Sequence, residues 1–265
     1  MTRPGKVSGL HAGTPLRTAA ERLLHARLAD VRAAEARALR RLDPRIIHDL
    51  RVACRRLRAA VKMFGKKRLR ALDGRIEHLQ DALGEVRDAQ LQMEWLERHR
   101  GDARRVRSRL RKAEVHLRQA LAFWSRRSEP QLVRALPHVR TGGTLGGPRT
   151  RNRLRKRLRQ LEQAMEQRDP LEAAAAHRIR IAAKKLRYEA ELLRDAFDLD
   201  DALQALVGLQ TTLGEVHDSD VRLEEFGAEQ KLARAARAER MRRGTKARAL
   251  LRRFSRTASS LKRRL

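Results

Sequence analysis

HDLRVACRRLR, running from His48 to Arg58, returns as HRIRIAAKKLRY from His177 to Tyr188. At about 100° per residue, setting His48 at zero places Arg51, Arg55, Arg58 and Lys62 within roughly 80° of it. Ile46, Leu50, Ala53, Leu57, Val61 and Phe64 fall near the opposite pole. In the second copy His177, Arg180, Lys184 and Arg187 share one side, while Ile179, Ala182, Leu186 and Leu193 share the other. Each stretch therefore reads as a helix with a core face and a cationic face.

A second pair of segments repeats as well: LQDALGEVRDAQL begins at Leu79 and LQTTLGEVHDSDV at Leu209. The first pair is offset by 129 residues and the second by 130. Two landmarks in the same order and at nearly the same spacing divide the chain into homologous halves. Between them TGGTLGGP, Thr141 to Pro148, suits neither a helix interior nor a strand ladder. The reading is a flexible N-terminus over residues 1–14, a first helical bundle over 15–140 and a Gly-rich linker over 141–150. A second bundle with a basic C-terminal helix then fills 151–265.

Apolar residues recur at spacings of three and four almost throughout, and no alternating β-branched runs form, so the fold is expected to be all-α. Asp43 before Pro44, and Asp169 before Pro170, read as N-caps with first-turn prolines ahead of the two motifs. Breaks are expected near Gly65, Gly74, Gly84, Gly101, Glu129–Pro130, Gly208 and Gly214. About four helices per half make each half a bundle. No uncharged run approaches the roughly 18 residues of a membrane span, and MTRPGKVSGLHAGTP lacks the apolar centre of a secretory signal. The expectation is a soluble, cytoplasmic protein. Cys54, the single cysteine, lies in the apolar half of the motif helix and reads as a buried structural thiol.

The 63 Lys and Arg outnumber the 32 Asp and Glu, a net charge of +31 with His neutral. Along the first motif no carboxylate interleaves Arg51, Arg55, Arg58 and Lys62. Neighbours roughly 6 Å apart would repel by up to about 3 kcal/mol per pair at an effective dielectric near 20, less in salt. A solvated face tolerates such a row, but a bound anion offsets its cost. From His48 to Lys62 the row runs about 21 Å, which suits a chain of phosphates better than one. Aromatics are only 3% of the chain, few for stacking single-stranded nucleic acid. The segment Ala228–Leu265 carries 14 Lys or Arg against two acids, a helix whose outer face is either solvated, an extension of the polyanion surface, or a nonspecific contact for nucleic acid or an anionic membrane.

Set side by side, the motifs resemble the CHAD family, the conserved histidine α-helical domains. His48, Arg51, Val52, Arg55, Arg56, Leu57, Arg58 and Phe64 carry the match in the first copy. In the second it is carried by His177, Arg180, Lys184, Lys185, Leu186, Arg187, Tyr188 and Glu191. Leu83, Gly84, Arg87 and Asp88, with Leu213, Gly214 and Asp218, look like the family's second signature. The resemblance implies two four-helix bundles related by pseudo-two-fold symmetry and a basic central surface or pore that binds inorganic polyphosphate, with association to polyphosphate granules. Other polyanions are expected to bind only nonspecifically. The residues so implicated are His48, Arg51, Arg55, Arg56, Arg58 and Lys62, then His177, Arg180, Lys184, Lys185, Arg187 and Tyr188. For each cation the competing role is an interhelical salt bridge, with Asp88 and Asp218 as partners. The two histidines are either phosphate donors or structural hydrogen bonders. No catalytic residue, metal site or cofactor is expected, since neither GxxxxGK[ST] nor HExxH occurs. General nucleic-acid binding and phosphoryl-transfer catalysis are the competing functions.

Overall fold

A computed structural model describes residues 7–167 and 169–265. Of the expected flexible segment 1–14, residues 1–6 lie outside the described residues. Among the described residues the regular structure is helical, apart from isolated bridge residues that include the antiparallel pair Gly65 and Val139.

The chain divides into two compact units between Gly142 and Gly143, within the expected linker. Both glycines have positive φ, 84° and 82°, a conformation that costs glycine little. The first unit, Thr14–Gly142 with residues 7–10, holds α1 (Leu16–Arg40), α2 (Pro44–Phe64), a single turn α3 (Lys67–Arg70), α4 (Asp73–His99), α5 (Arg104–Phe123) and α6 (Glu129–Ala135). The second holds α7 (Pro148–Met165), α8 (Ala173–Leu193), α9 (Asp200–Phe226) and α10 (Gln230–Arg264). His11–Gly13 belongs to the second unit, where the Ala12 carbonyl accepts from the Gly146 amide at 2.8 Å. That stretch is therefore tied down rather than loose.

In the first unit α2 packs against both α1 and α4, and α5 packs on α4. In the second α8 packs against both α7 and α9, and α10 covers α9. The motif helix thus has neighbours on two sides in each unit, and the helix after it carries the second signature. Leu50, Ala53, Leu57, Val61 and Phe64 are buried as their angular positions require, as are Ile179, Leu186 and Leu193. Ile46 and Ala182 remain partly exposed. From the second signature, Leu79, Leu83 and Val86 enter one core and Leu209, Leu213 and Val216 the other.

Local chemistry sets the helix ends, with departures from expectation. Asp43 caps α2, accepting from the Arg45 and Ile46 amides at 3.0 and 2.9 Å, and Pro44 opens its first turn. The second motif helix starts later than Asp169–Pro170 suggested. Asp169 is used one turn earlier, accepting from the Leu171 amide at 3.0 Å, and Glu172 caps α8 through the Ala174 and Ala175 amides. Gly65 ends α2 and Gly101 follows α4. Gly84, Gly208 and Gly214 lie inside α4 and α9, and Gly74 in the first turn of α4. Burial of the flanking leucines outweighs the roughly 1 kcal/mol that glycine costs a helix. Nor does Glu129–Pro130 break the chain. Pro130 has no N–H to donate, and a π-helical stretch, Trp124–Ser128, joins α5 to α6 instead.

Cys54 is fully buried, and that burial pushes its thiol up to about 12. The native protein should therefore give no reaction with Ellman's reagent at pH 8, and one thiol per chain once guanidinium unfolds it. A fast native reaction would place Cys54 at a surface.

Candidate polyanion-binding site

The first cluster is built by α2 and α4. His48, Arg51 and Arg55 leave α2 on successive turns, and α4 lies alongside with Arg87 close enough to act on His48 and Arg51. At Gly84 the two helices come together: the Arg51 guanidinium lies over it, with 3.7 Å between Nη2 and the place a Cβ would take. Arg51 of HDLR thus lies at ordinary contact distance from Gly84 of LGEVRD, so the two sequence landmarks touch in this unit, whereas nothing lies within 4 Å of the corresponding point at Gly214.

This packing takes Arg51 largely out of water, leaving its side chain 22% exposed. Among the described residues the carboxylate it bonds is Asp88, 3.3 Å from Nη1. Asp88 is itself 68% exposed, so the pair is screened and weak. The Arg51 Nε is buried with no acceptor, a rare state for a donor on a cation. Burial, with Arg55 and Arg87 nearby, pulls the Arg51 pKa down from its ordinary value. Among the described residues Arg55 makes no side-chain hydrogen bond or ion pair. Burial also lowers the pKa of His48, helped by Arg87 and Arg55 and opposed by Asp49.

The second cluster, on α8 and α9, follows the same plan. His177, Arg180 and Lys184 succeed one another along α8, and His217 of α9 meets His177 edge to face with ring centroids 5.8 Å apart. His177 is exposed, and the slight burial it has lowers its pKa, with Arg180 and Lys184 adding to it. His217 is lowered by burial first, then by Arg180, with Asp218 opposing and His177 adding. Arg180 keeps its Nε buried, as Arg51 does.

Several expected ligand residues are placed elsewhere. Arg58 is held by Asp73 through Nε and Nη2, both at 2.9 Å, and by Glu77 at 2.7 Å. Lys62 reaches Asp73 at 3.0 Å. Burial alone would raise the Asp73 carboxyl, but hydrogen bonds from Arg58 and Lys62 outweigh it and hold the pKa below its ordinary value. Arg187, 1% exposed, donates to Glu191 at 2.9 Å and to Gln210 at 3.0 Å, and stacks on Tyr188 at 5.0 Å. Tyr188 is buried with it, and Arg56 is buried too. Arg56, Arg187 and Tyr188 thus present no surface to a polymer, and Arg58 is committed to carboxylates. Lys185 is exposed at the margin of its helix face. Asp88 pairs with Arg51 as anticipated, but the stronger partners Asp73 and Glu77 were not foreseen. The residues the motif reading left out are Arg87 and His217. They occupy the same place in LGEVRD and LGEVHD, and that alignment was the available signal. Among the described residues no three His, Cys, Asp or Glu converge at metal spacing, and no helix is long and apolar enough to cross a membrane.

The CHAD domain model matches residues 22–227. This chain belongs to the CHAD family. The family as a whole is associated with polyphosphate binding. The fold is similar to the crystal structure of the CHAD domain from the plant Ricinus communis, with TM-score 0.69 and 24% identity over 95% of this chain and 96% of that one. It is also similar to PptA from Streptomyces chartreusis, with TM-score 0.63 and 16% identity over 93% of this chain and 100% of that one. No curated protein matches the sequence at a significant level.

Two measurements separate structural from available cations. Arg187→Met breaks a buried pair and should cost about 3–5 kcal/mol in urea unfolding, whereas Arg55→Met should leave stability unchanged or raise it. Proton linkage provides the second. His48, His177 and His217 titrate below their ordinary 6.5 when folded, so the unfolded chain gains protons first as pH falls. Their contribution to stability is complete above about 6.5 and declines below it. An anion favours the imidazolium, so its affinity should rise over the same range. Calorimetry in buffers of different ionisation enthalpy should show proton uptake on binding polyphosphate at mildly acid pH, reduced in His177→Gln/His217→Gln.

Proposed function

We propose that this protein binds inorganic polyphosphate, without transforming it, through His48, Arg51, Arg55 and Arg87 of one unit and His177, Arg180, Lys184 and His217 of the other. Binding of this kind would serve to hold the protein at polyphosphate granules. The observation that carries the reading is that each family motif begins with a cluster of basic side chains, most of them partly removed from water, where burial and then the neighbouring cations lower the pKa values of His48, Arg51, His177 and His217. Desolvating a cation costs energy unless a counter-charge is close, and phosphate oxygens supply that charge with hydrogen bonds to guanidinium. A thin polyanion with a charge on every repeat unit reaches such a site without stacking any base. Tyr188, the only tyrosine, is buried and offers no platform, which favours polyphosphate over single-stranded nucleic acid here.

Reversing Arg51 and Arg55 to Glu, or Arg180 and Lys184 to Glu, should each weaken long-chain polyphosphate binding at least about tenfold, or 1.4 kcal/mol, with the helical circular dichroism retained. Unchanged affinity would move the site elsewhere. Duplex DNA at equal phosphate concentration should fail to displace polyphosphate near physiological salt; displacement would favour general polyanion binding. Phosphate release above blank with magnesium or manganese, abolished by the same variants, would mean catalysis.

A further inference from the structure

The charge on α10 is not accounted for by either cluster. The helix buries Leu232, Ala233, Ala236, Ala247, Leu251, Phe254, Ala258 and Leu261 along one side. Several cations flanking that side are matched by carboxylates. Arg240 pairs with Asp220, Arg243 with Glu239 at 3.0 Å, Lys262 with Glu162 at 2.9 Å, and Arg264 with Asp198 at 2.7 Å. The outer side is treated differently. Lys231, Arg234, Arg242, Arg252, Arg256 and Arg263 fall within about 60° of the pole opposite the core, and all are exposed. Among the described residues none of the six makes an ion pair or side-chain hydrogen bond. No acid of α10 itself shares their face, since its one carboxylate, Glu239, is buried.

We propose that this outer face of α10 is a docking surface for duplex nucleic acid, separate from the two motif clusters. Its geometry distinguishes the ligand. From Lys231 to Arg263 the row extends about 48 Å at 1.5 Å per residue, the length of roughly 14 base pairs at 3.4 Å per phosphate of one strand. The positions between the cations include Ala238, Thr245, Ala249 and Ser259, low side chains, with Met241 the one large apolar side chain among them. The face carries no aromatic residue, so it contacts backbone phosphates rather than unstacked bases. It is an exposed helix side, which meets a wide, stiff duplex over its length but surrounds a thin flexible polymer on one side only. An anionic membrane fits less well. Leu232, Leu251, Leu261 and Phe254 are buried, and only Met241, 74% exposed, offers a large apolar side chain for insertion.

The test uses the full chain and a fluorescein-labelled 20-base-pair duplex, with anisotropy read between about 50 and 200 mM salt. In R234Q/R242Q/R252Q/R256Q the affinity should fall at least about thirtyfold, and the slope of log affinity against log salt should become shallower by about 3–4, near 0.9 per lost phosphate contact. Polyphosphate binding, measured in parallel, should stay within about twofold, because the motif clusters that hold that polymer keep all their charges and release the same counterions. Should the quadruple variant fold poorly, R242Q/R256Q should show about half the change in slope. Unchanged duplex affinity overturns the proposal. So does an equal loss of polyphosphate affinity, which would make α10 part of the polyphosphate site, or a loss confined to phosphatidylserine vesicles, which would make it a membrane contact. Failure of the motif-cluster variants to affect polyphosphate leaves this prediction standing, because its readout is the duplex.

Discussion

A cation half withdrawn from water needs a counter-charge, and this constraint organises both units. The motif helices α2 and α8 each pack against two neighbours, so their polar faces are narrow. Arginines and histidines on such a face lose part of their hydration whether or not a ligand is present. The depressed pKa values of His48, Arg51, His177 and His217 all have burial as the leading cause. The same apolar packing that stabilises the helices therefore creates an electrostatic demand for a counter-charge.

The protein meets part of that demand itself, at the same motif position in each unit. Arg58 and Arg187 stand at equivalent places in the two rows, and both are tied to carboxylates. Asp73 and Glu77 on α4 hold Arg58. In the second unit Glu191, which stands where the first has Lys62, holds Arg187 from within the same helix. Different acids reach the same outcome, which fixes the end of each row. Its beginning, His48, Arg51 and Arg55 in one unit and His177, Arg180 and Lys184 in the other, is the part that carries like charges side by side.

Most of the architecture could be read from periodicity, because the apolar positions of α2 and α8 decide which side is buried whatever the neighbouring helices do. The repeated LGEV segment also marked the next inward-packed helix correctly. What could not be read depended on distances between helices. Asp73 lies 15 residues from Arg58 and has no counterpart in the second signature, so nothing in the motif announced it. Arg187 and Tyr188 share the angular range of the basic row, yet they turn inward because Gln210 and Glu191 offer the arginine acceptors there. Angle around a helix gives the direction of a Cβ; it does not give the path of a long side chain. Pro130 misled for a different reason, since a π-helical stretch accommodates a missing donor without ending the helix.

The distribution of acids is as informative as the excess of bases. With 32 carboxylates for 63 cations, not every base can be paired, and many of the pairs that form lie where one helix meets another. Arg153 and Arg157 converge on buried Glu189 between α7 and α8, and Arg222 meets Glu239 between α9 and α10. Such pairs offset desolvation that packing makes unavoidable. Arg55 and the outer row of α10 are not paired in this way among the described residues. In the second unit one fixed charge of the first, Arg87, is replaced by His217, whose protonation depends on what approaches it. The two clusters therefore share a plan but differ by one titratable group: the first sets one imidazole among arginines, the second sets two imidazoles edge to face beside Arg180 and Lys184.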